Sequence, residues 1–355
     1  MNANHKLMQF RAIDTYIESN IVLPEESDSH KGYVNWGVNN DYPQYLNSLY
    51  NNVPTLKAII DGTVDFICGD GVECDDLLLS ERINSKNETL NELVRDCGRD
   101  LLKYGGFAIN VIRNKAGNVC QLHFISFERI RLSEDKKTVY YSKNWARDWR
   151  NERSIGRVKF VSYPVFDPVN HADNSIYIFS NNLTDIYPSP CWSASVQSCD
   201  IEKKINEYHL NSISNGFSAS YLISLNNGIP SEEQADEIEE NIIEKFCGSG
   251  NGGRVVLNFA DDKEHSAELT KLETDDSGEK YKSLAERSRE QIFTAFRAVP
   301  NLFGLTVSTG FSNEEYAESF KLYNRTSVRP RQFDLVRAIS YITGKEIKII
   351  PFTLD

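Results

Sequence analysis

Apolar residues recur at helical spacing between residues 42 and 68, where Leu46, Leu49, Val53, Leu56, Ile59, Ile60, Val64 and Ile67 form one series. Pro54 interrupts the series, and Gly69 stands where a C-terminal cap belongs. A second helix is expected to open at Asn87 and Thr89, to bury Leu90, Leu93, Val94, Cys97 and Leu101, and to stop at Gly105-Gly106. The pattern then turns β-rich. Residues 107–113 and 119–126 read as strands around Asn114-Lys115-Ala116-Gly117-Asn118, the composition of a hairpin turn. Further strands are expected at 130–132, 138–142, 158–165 and 176–179. The first 185 residues therefore read as one α+β domain.

At Tyr187-Pro188-Ser189-Pro190 the character changes, because two prolines and a serine set up a helix that runs to Asn215-Gly216. Its apolar and small positions, from Trp192 through Val196, Cys199, Ile201, Ile205 and Tyr208 to Ile213, drift around the axis, as in a helix contacted from more than one side. A strand at 219–225 leads to an acidic helix opened by the capping box Ser231-Glu232-Glu233-Gln234. Ala235, Ile238, Ile242 and Phe246 make its buried face, and seven acidic residues opposed only by Lys245 cover the rest. A glycine-rich turn and a strand at 254–259 complete a small α/β module. Residues 278–299 then place Tyr281, Leu284, Ala285, Ser288, Ile292, Ala295, Phe296 and Val299 at helical spacing before Pro300 stops them. After an apolar loop, a second capping box, Ser312-Asn313-Glu314-Glu315, starts a helix with Pro330 inside it, so a kink is expected near Arg329. A last strand, 346–352, is expected to rejoin the first domain's sheet.

Composition narrows the function classes. The 355 residues, 40% hydrophobic and 25% charged, suffice for about two domains with a sizeable core. No run of 18 uncharged apolar residues exists, and His5, Lys6, Gln9 and Arg11 break up the N-terminus, so no membrane span and no signal-peptide core are expected and synthesis in a cytoplasm is. Seven cysteines without a CxxC pair read as reduced thiols. A net charge of −12 argues against tight nucleic-acid binding, which depends on phosphate neutralisation, yet it is compatible with letting DNA slide past. One stretch is locally basic. Lys143, Arg147, Arg150, Arg153, Arg157 and Lys159 outnumber Asp148 and Glu152 around Trp145 and Trp149, which reads first as a solvated loop with two anchoring tryptophans. Docking to an acidic partner or DNA through Arg147, Arg150 and Arg153 is the second reading.

Signatures of catalysis are missing. Gly248-Ser249-Gly250-Asn251-Gly252-Gly253 matches GxGxxG, but it follows an expected helix and opens a strand, the reverse of a phosphate-cradling loop. There is no Walker A lysine, no HExxH among six dispersed histidines and no GxSxG elbow. No cofactor, no metal and no enzymatic activity are therefore expected. A nucleic-acid- or nucleotide-processing enzyme is the alternative, with Asp70, Glu73, Asp75 and Asp76 as an acidic metal site and residues 143–159 as the binding face.

The order of parts resembles a tailed-bacteriophage portal protein of the compact, HK97-like kind. The likeness rests on Tyr187-Pro188-Ser189-Pro190 before a long helix, on Asn215-Gly216 after it, and on the run 292–304 with Pro300 and Gly304. Phe311-Ser312-Asn313-Glu314-Glu315 and the proline-kinked helix follow. The resemblance implies an α+β portal fold: an α/β wing from 1–186, a stem helix at 187–216, a small α/β clip at 217–274, a second stem helix at 275–300, a tunnel loop at 301–311 and a return to the wing at 312–355, with the crown absent or minimal. It also implies a ring, dodecameric when assembled, at the portal vertex of a virion or prophage-encoded particle, conducting double-stranded DNA without sequence specificity. The terminase large subunit, a head–tail adaptor and a capsid or scaffolding protein would be its partners, and no membrane is involved. Leu305, Thr306, Val307, Ser308 and Thr309 would reach into the channel, with Gly304 and Gly310 as flex points. Glu232, Glu233, Asp236, Glu237 and Glu240 would form the clip's docking surface.

Overall fold

The computed structural model describes residues 26–27, 32–155, 160–169, 172–182, 184–214, 221–225, 255–259, 277–304 and 313–353. A short antiparallel pair, β1 (Glu26–Ser27) and β2 (Asn35–Trp36), precedes two helices, α1 (Tyr42–Asn52) and α2 (Pro54–Cys68). Pro54 sits in the first turn of α2, where a missing N–H costs nothing, so the proline separates two helices. After β3 (Gly71–Cys74) and the short α3 (Leu77–Glu81) comes α4 (Leu90–Tyr104). Its start is a full capping box: Glu92 N–H donates to the Thr89 hydroxyl, and Thr89 N–H donates back to the Glu92 carboxylate at 2.7 Å.

Gly105 ends α4 at φ +83°, in the left-handed region, and a Cβ there would stand 2.3 Å from the Ser189 carbonyl oxygen. This reversal sends the chain into β4 (Gly106–Arg113), which pairs antiparallel with β5 (Val119–Ile125) through the expected hairpin. A second antiparallel group is β6 (Ile130–Leu132), β7 (Thr138–Tyr141) and β8 (Val161–Pro164), with α5 (Trp145–Ile155) between β7 and β8. The basic stretch is thus largely helical where a loop was expected, because Trp145 is drawn into the core. It stacks on Phe160 at 4.5 Å, and its indole N–H donates to the Arg129 carbonyl at 2.8 Å. β9 (Asn174–Ser180) completes the first sheet on the far edge of β4.

The stem-like helix α6 (Val196–Ser214) begins later than the sequence suggested, after a 3-10 turn at Ser193–Ser195. Residues 187–190 lie ahead of it as extended chain and bends. Tyr187 stacks on Trp36, and its hydroxyl accepts from Leu132 N–H at 3.0 Å while donating to the Val34 carbonyl. Trp192 is buried, donating its indole N–H to the Leu102 carbonyl at 2.9 Å.

Next, β10 (Tyr221–Leu225) and β11 (Val255–Phe259) pair in parallel, and the acidic helix expected between them lies outside the described residues. Helix α7 (Ser277–Phe296) then runs beside α6, followed by α8 (Asn313–Tyr323), a π-helical turn at Asn324–Val328, and α9 (Arg329–Thr343). The expected break at Pro330 takes this form. A proline at the second position of α9 cannot donate to residue 326, and the turn before it widens to accommodate the ring. β12 (Ile347–Ile350) returns to the N-terminal half of the chain, but it pairs antiparallel with β3 in a two-stranded sheet of its own, where the main sheet was expected.

The candidate functional site: a helical stem and its anchors

α6 and α7 run antiparallel, with one end fixed to α1 and α2 and the other exposing apolar side chains among the described residues. At the base, Val196, Cys199 and Ile205 are buried, and Ser198 donates to the Gln291 side chain of α7 at 2.6 Å. Glu202 is also buried; its carboxylate accepts from the Thr55 hydroxyl at 2.9 Å at the start of α2, where a negative charge faces the helix N-terminus. Tyr45 of α1 donates to Asp200, and burial together with that carboxylate pushes the phenol's pKa far up. Further along, Tyr208 packs on Tyr281 at 4.8 Å, while Ile201, Leu210 (64% exposed) and Leu284 present apolar surface outward. The drifting apolar pattern of α6 therefore resolves into a base held by α1, α2 and α7 and an outer half, packed on α7 through Tyr208, whose Leu210 is exposed among the described residues.

At its other end α7 stops at Phe296, and Arg297 turns into positive φ (53°) so that Ala298 N–H donates back to the Phe293 carbonyl at 3.0 Å. Pro300–Phe303 form a 3-10 turn with Leu302 buried and the Phe303 ring set against Gly62, Phe66 and Tyr323. The first residues of the expected loop are thus an anchor, and Gly304 caps it at φ +81° with nothing within 4 Å of where a Cβ would lie. Leu305, Thr306, Val307, Ser308, Thr309 and Gly310 lie outside the described residues, as do Glu232, Glu233, Asp236, Glu237 and Glu240 and the glycine run 248–253. On the far side of the loop, Tyr323 shares a 2.6 Å hydrogen bond with Thr63 of α2, and Gln332 donates to the Ile67 carbonyl at 2.9 Å. Both flanks of the loop are therefore pinned to one helix, α2.

In the basic stretch, Arg147 is exposed and pairs with its neighbour Asp148 at 2.9 Å, and Arg150 is also exposed. Arg153 lies on α5, but its side chain is outside the described set. No three of the carboxylates in the alternative reading come together to hold a metal ion. Glu73 stands opposite Lys348 in the β3–β12 register, Asp70 accepts from the Thr353 hydroxyl at 3.3 Å, and Asp76 pairs with Lys345 at 3.3 Å. Among the described residues no group of three or more His, Cys, Asp or Glu side chains is placed to hold a metal ion. Among them also, no helix is long and apolar enough to cross a membrane.

Arg131 and Asp100, like Lys103 and Glu202, are buried ionisable side chains that went unnoticed in the sequence. Arg131, fully buried, donates to the carbonyls of Ile130 (2.7 Å), Asn40 (2.7 Å) and Glu128 (3.1 Å) and to the Asn40 side chain, and lies 4.9 Å over the Trp145 ring. Burial lowers its pKa to about 10. Asp100 on α4 accepts from Phe127 N–H at 2.7 Å, and burial raises its pKa to about 7. Neither has a sequence signal, since both lie among the polar positions of otherwise regular elements.

No protein-family model matches the sequence, and no curated protein does. Solved structures match it well beyond the sequence's own reach. A chain of the virion of a native gene transfer agent particle superposes with a TM-score of 0.57 at 16% identity, covering 87% of this chain and 83% of that one. A chain from the neck of the native particle, computed with C12 symmetry, gives 0.55 at 18% identity over 86% and 84%. An HK97 family phage portal protein from Corynebacterium diphtheriae aligns over 86% of this chain and 94% of that one, at 13% identity and a TM-score of 0.49. At these identities the first two matches establish a shared fold with chains of a gene transfer agent particle. The portal resemblance drawn from the order of the sequence motifs is supported at that level.

Proposed function

We propose that this chain is a portal-type subunit: a structural component of a phage or phage-like particle that closes into a ring around a DNA channel. The observation that carries the reading is the stem. Two antiparallel helices are anchored at one end on α1 and α2, project with apolar residues uncovered, and are followed by a loop whose two flanks are both fixed to α2. That arrangement suits a subunit whose helices are completed by neighbours, and the C12 symmetry of the neck containing a matched chain makes twelve copies the expected number. In this reading Leu305, Thr306, Val307, Ser308 and Thr309 face the channel between the pivots Gly304 and Gly310, and an acidic, cation-poor wall lets DNA slide. The acidic helix around Glu232, Glu233, Asp236, Glu237 and Glu240 docks the packaging terminase or a head–tail adaptor, and Arg147, Arg150 and Arg153 offer a second, basic contact. The ring sits at the portal vertex against capsid or scaffolding protein, and the motor chemistry belongs to the terminase. Native mass spectrometry and negative-stain microscopy of the purified chain test this. Closed rings of about twelve copies are expected; a monomer that persists at high concentration in every buffer would refute it.

A further inference from the structure

Past the first turns of α8, which carry Glu314, Glu315 and Glu318, the chain reverses its overall charge balance. Residues 321–345 hold six cations (Lys321, Arg325, Arg329, Arg331, Arg337, Lys345) against Asp334 alone, in a protein of net charge −12. The cations are arranged in a row. Every fourth residue from Lys321 to Tyr341 is exposed, and the row reads Lys321, Arg325, Arg329, Phe333, Arg337, Tyr341. The opposite face is core: Tyr323, Val328, Leu335, Ile339 and Ile342 are all buried.

None of Lys321, Arg325, Arg329 and Arg337 makes a salt bridge among the described residues, and Arg337 lies 5.8 Å over the Phe333 ring. Phe333 is 63% exposed and Leu322 beside the row is 62% exposed. Arginines interleaved with large exposed apolar side chains have the composition of a protein contact; a duplex DNA backbone would call for the cations without the phenylalanine and leucine.

An acidic counterpart exists on the same chain. A cleft of about 310 Å³ between the start of α4 and β5 is lined by Glu88, Glu92, Leu93, Asp96 and Phe124, with Arg95 at its edge tied to Asp65 at 2.8 Å. It sets three carboxylates around two apolar side chains, Asp96 paired with Arg99 at 2.9 Å, Glu92 capping α4 and Glu88 accepting from Asn84, and so carries the charge opposite to the α8–α9 row. It also lies on the other flank of the wing. On α4, Gly98 faces Leu335 of α9 and Ile67 of α2, whereas Asp96, two residues earlier and so on the opposite side of the helix, faces Phe124. A basic-aromatic row on one flank and an acidic-apolar cleft on the other make a head-to-tail contact, which repeats around a closed ring.

We propose that the α8–α9 row docks into the Glu88–Asp96 cleft of a second copy of this chain, so that ring closure is held between the wings by charge as well as by the stem helices. The inference rests on the ring reading above and deepens it. Its test uses the full chain in three forms: native, R325E/R329E/R337E, and that triple variant carrying E88K/D96K in addition. The triple variant is expected to remain folded, because the three arginines are exposed, and to lose at least about tenfold of its ring population at low salt. The five-site variant is expected to recover rings. Native rings that persist in the triple variant would overturn this contact and leave the ring reading standing, whereas a native chain that never forms rings would sink both. Failure of the five-site variant to recover would also overturn the assignment of the cleft, as would rings that form normally but lose retained DNA, since the row would then serve DNA. Should the triple variant not fold, a benzophenone side chain at position 333 of the otherwise native chain decides. Photo-adducts between isotope-mixed copies are expected on residues 84–99 or 119–125, and adducts confined to other segments would refute the contact.

Discussion

The phenol ring of Tyr187 lies flat on the indole of Trp36, 4.5 Å between centroids and 5° from parallel, across 151 residues of sequence. Its hydroxyl also ties Val34 to Leu132, so one side chain fastens the entry strand, β6 and the approach to the stem. Tyr187→Phe keeps the stack and leaves a buried carbonyl and N–H without their partner, a loss of about 1–3 kcal/mol. Urea unfolding is expected to show that loss, and Tyr187→Ala a larger one; equal midpoints for Phe and Tyr would mean that the hydroxyl contributes nothing.

Gly105 and Gly304 share a left-handed backbone, at φ +83° and +81°, but not a neighbourhood. A methyl at Gly105 meets the Ser189 carbonyl oxygen at 2.3 Å, and one at Gly304 meets nothing within 4 Å. Gly304→Ala is expected to cost about 1 kcal/mol for the backbone alone. Gly105→Ala should cost more than about 3 kcal/mol, because α4 must shift against the approach to the stem. Thermal melts of the two variants check the difference.

Asp100 gives stability a pH dependence of unusual sign for a carboxylate. Burial raises its folded-state pKa to about 7, above the unfolded value near 4, so between those values the native state holds a proton that the unfolded chain has released. This contribution is fully present below about pH 4, is lost as pH rises through about 7, and is constant above. Asp100→Asn removes it. The stability difference between Asp100→Asn and the native chain is expected to move in the variant's favour from pH 4 to pH 7, by an amount on the order of 1–4 kcal/mol, and then to level off. A difference independent of pH across that window would show that Asp100 ionises in the folded state as it does in the unfolded chain.

Shortening the segment that holds Leu305, Thr306, Val307, Ser308 and Thr309 tests the channel assignment. Both flanks are pinned independently, through Phe303 on one side and the Tyr323–Thr63 hydrogen bond on the other. Fold and ring are expected to survive, while DNA packaging or retention in assembled particles fails. A variant that no longer folds would place these residues in the core.

Much of the local structure could be read from spacing alone, because a helix or a hairpin is specified by residues within one or two turns of each other. The break at Pro54, the helix start at Thr89, the hairpin turn at 114–118 and the stop before Pro300 are of this kind. The helix 145–155 was not, since Trp145 becomes a core residue only through Phe160 and the Arg129 carbonyl. The candidate site divides the same way. The stem helices and the loop between fixed ends were visible as periods and stops, whereas the basic row on α8–α9 was hidden among alternating core positions until the fold showed which side faces outward.

By itself, then, the sequence determined most of the described helices, the hairpin and the absence of catalytic motifs, and the order of its parts sufficed to suggest a portal-like subunit. Only the tertiary structure decided that Tyr187 reaches Trp36, that β12 pairs with β3 in place of the main sheet, that Arg131 and Asp100 are buried, and that the first half of α6 is anchored on α1 and α2. The reason is the range of the forces. Backbone geometry and capping act over a few residues and leave a periodic trace, whereas burial, stacking and pairing join residues far apart, and which partner each one finds is fixed only when the whole core closes.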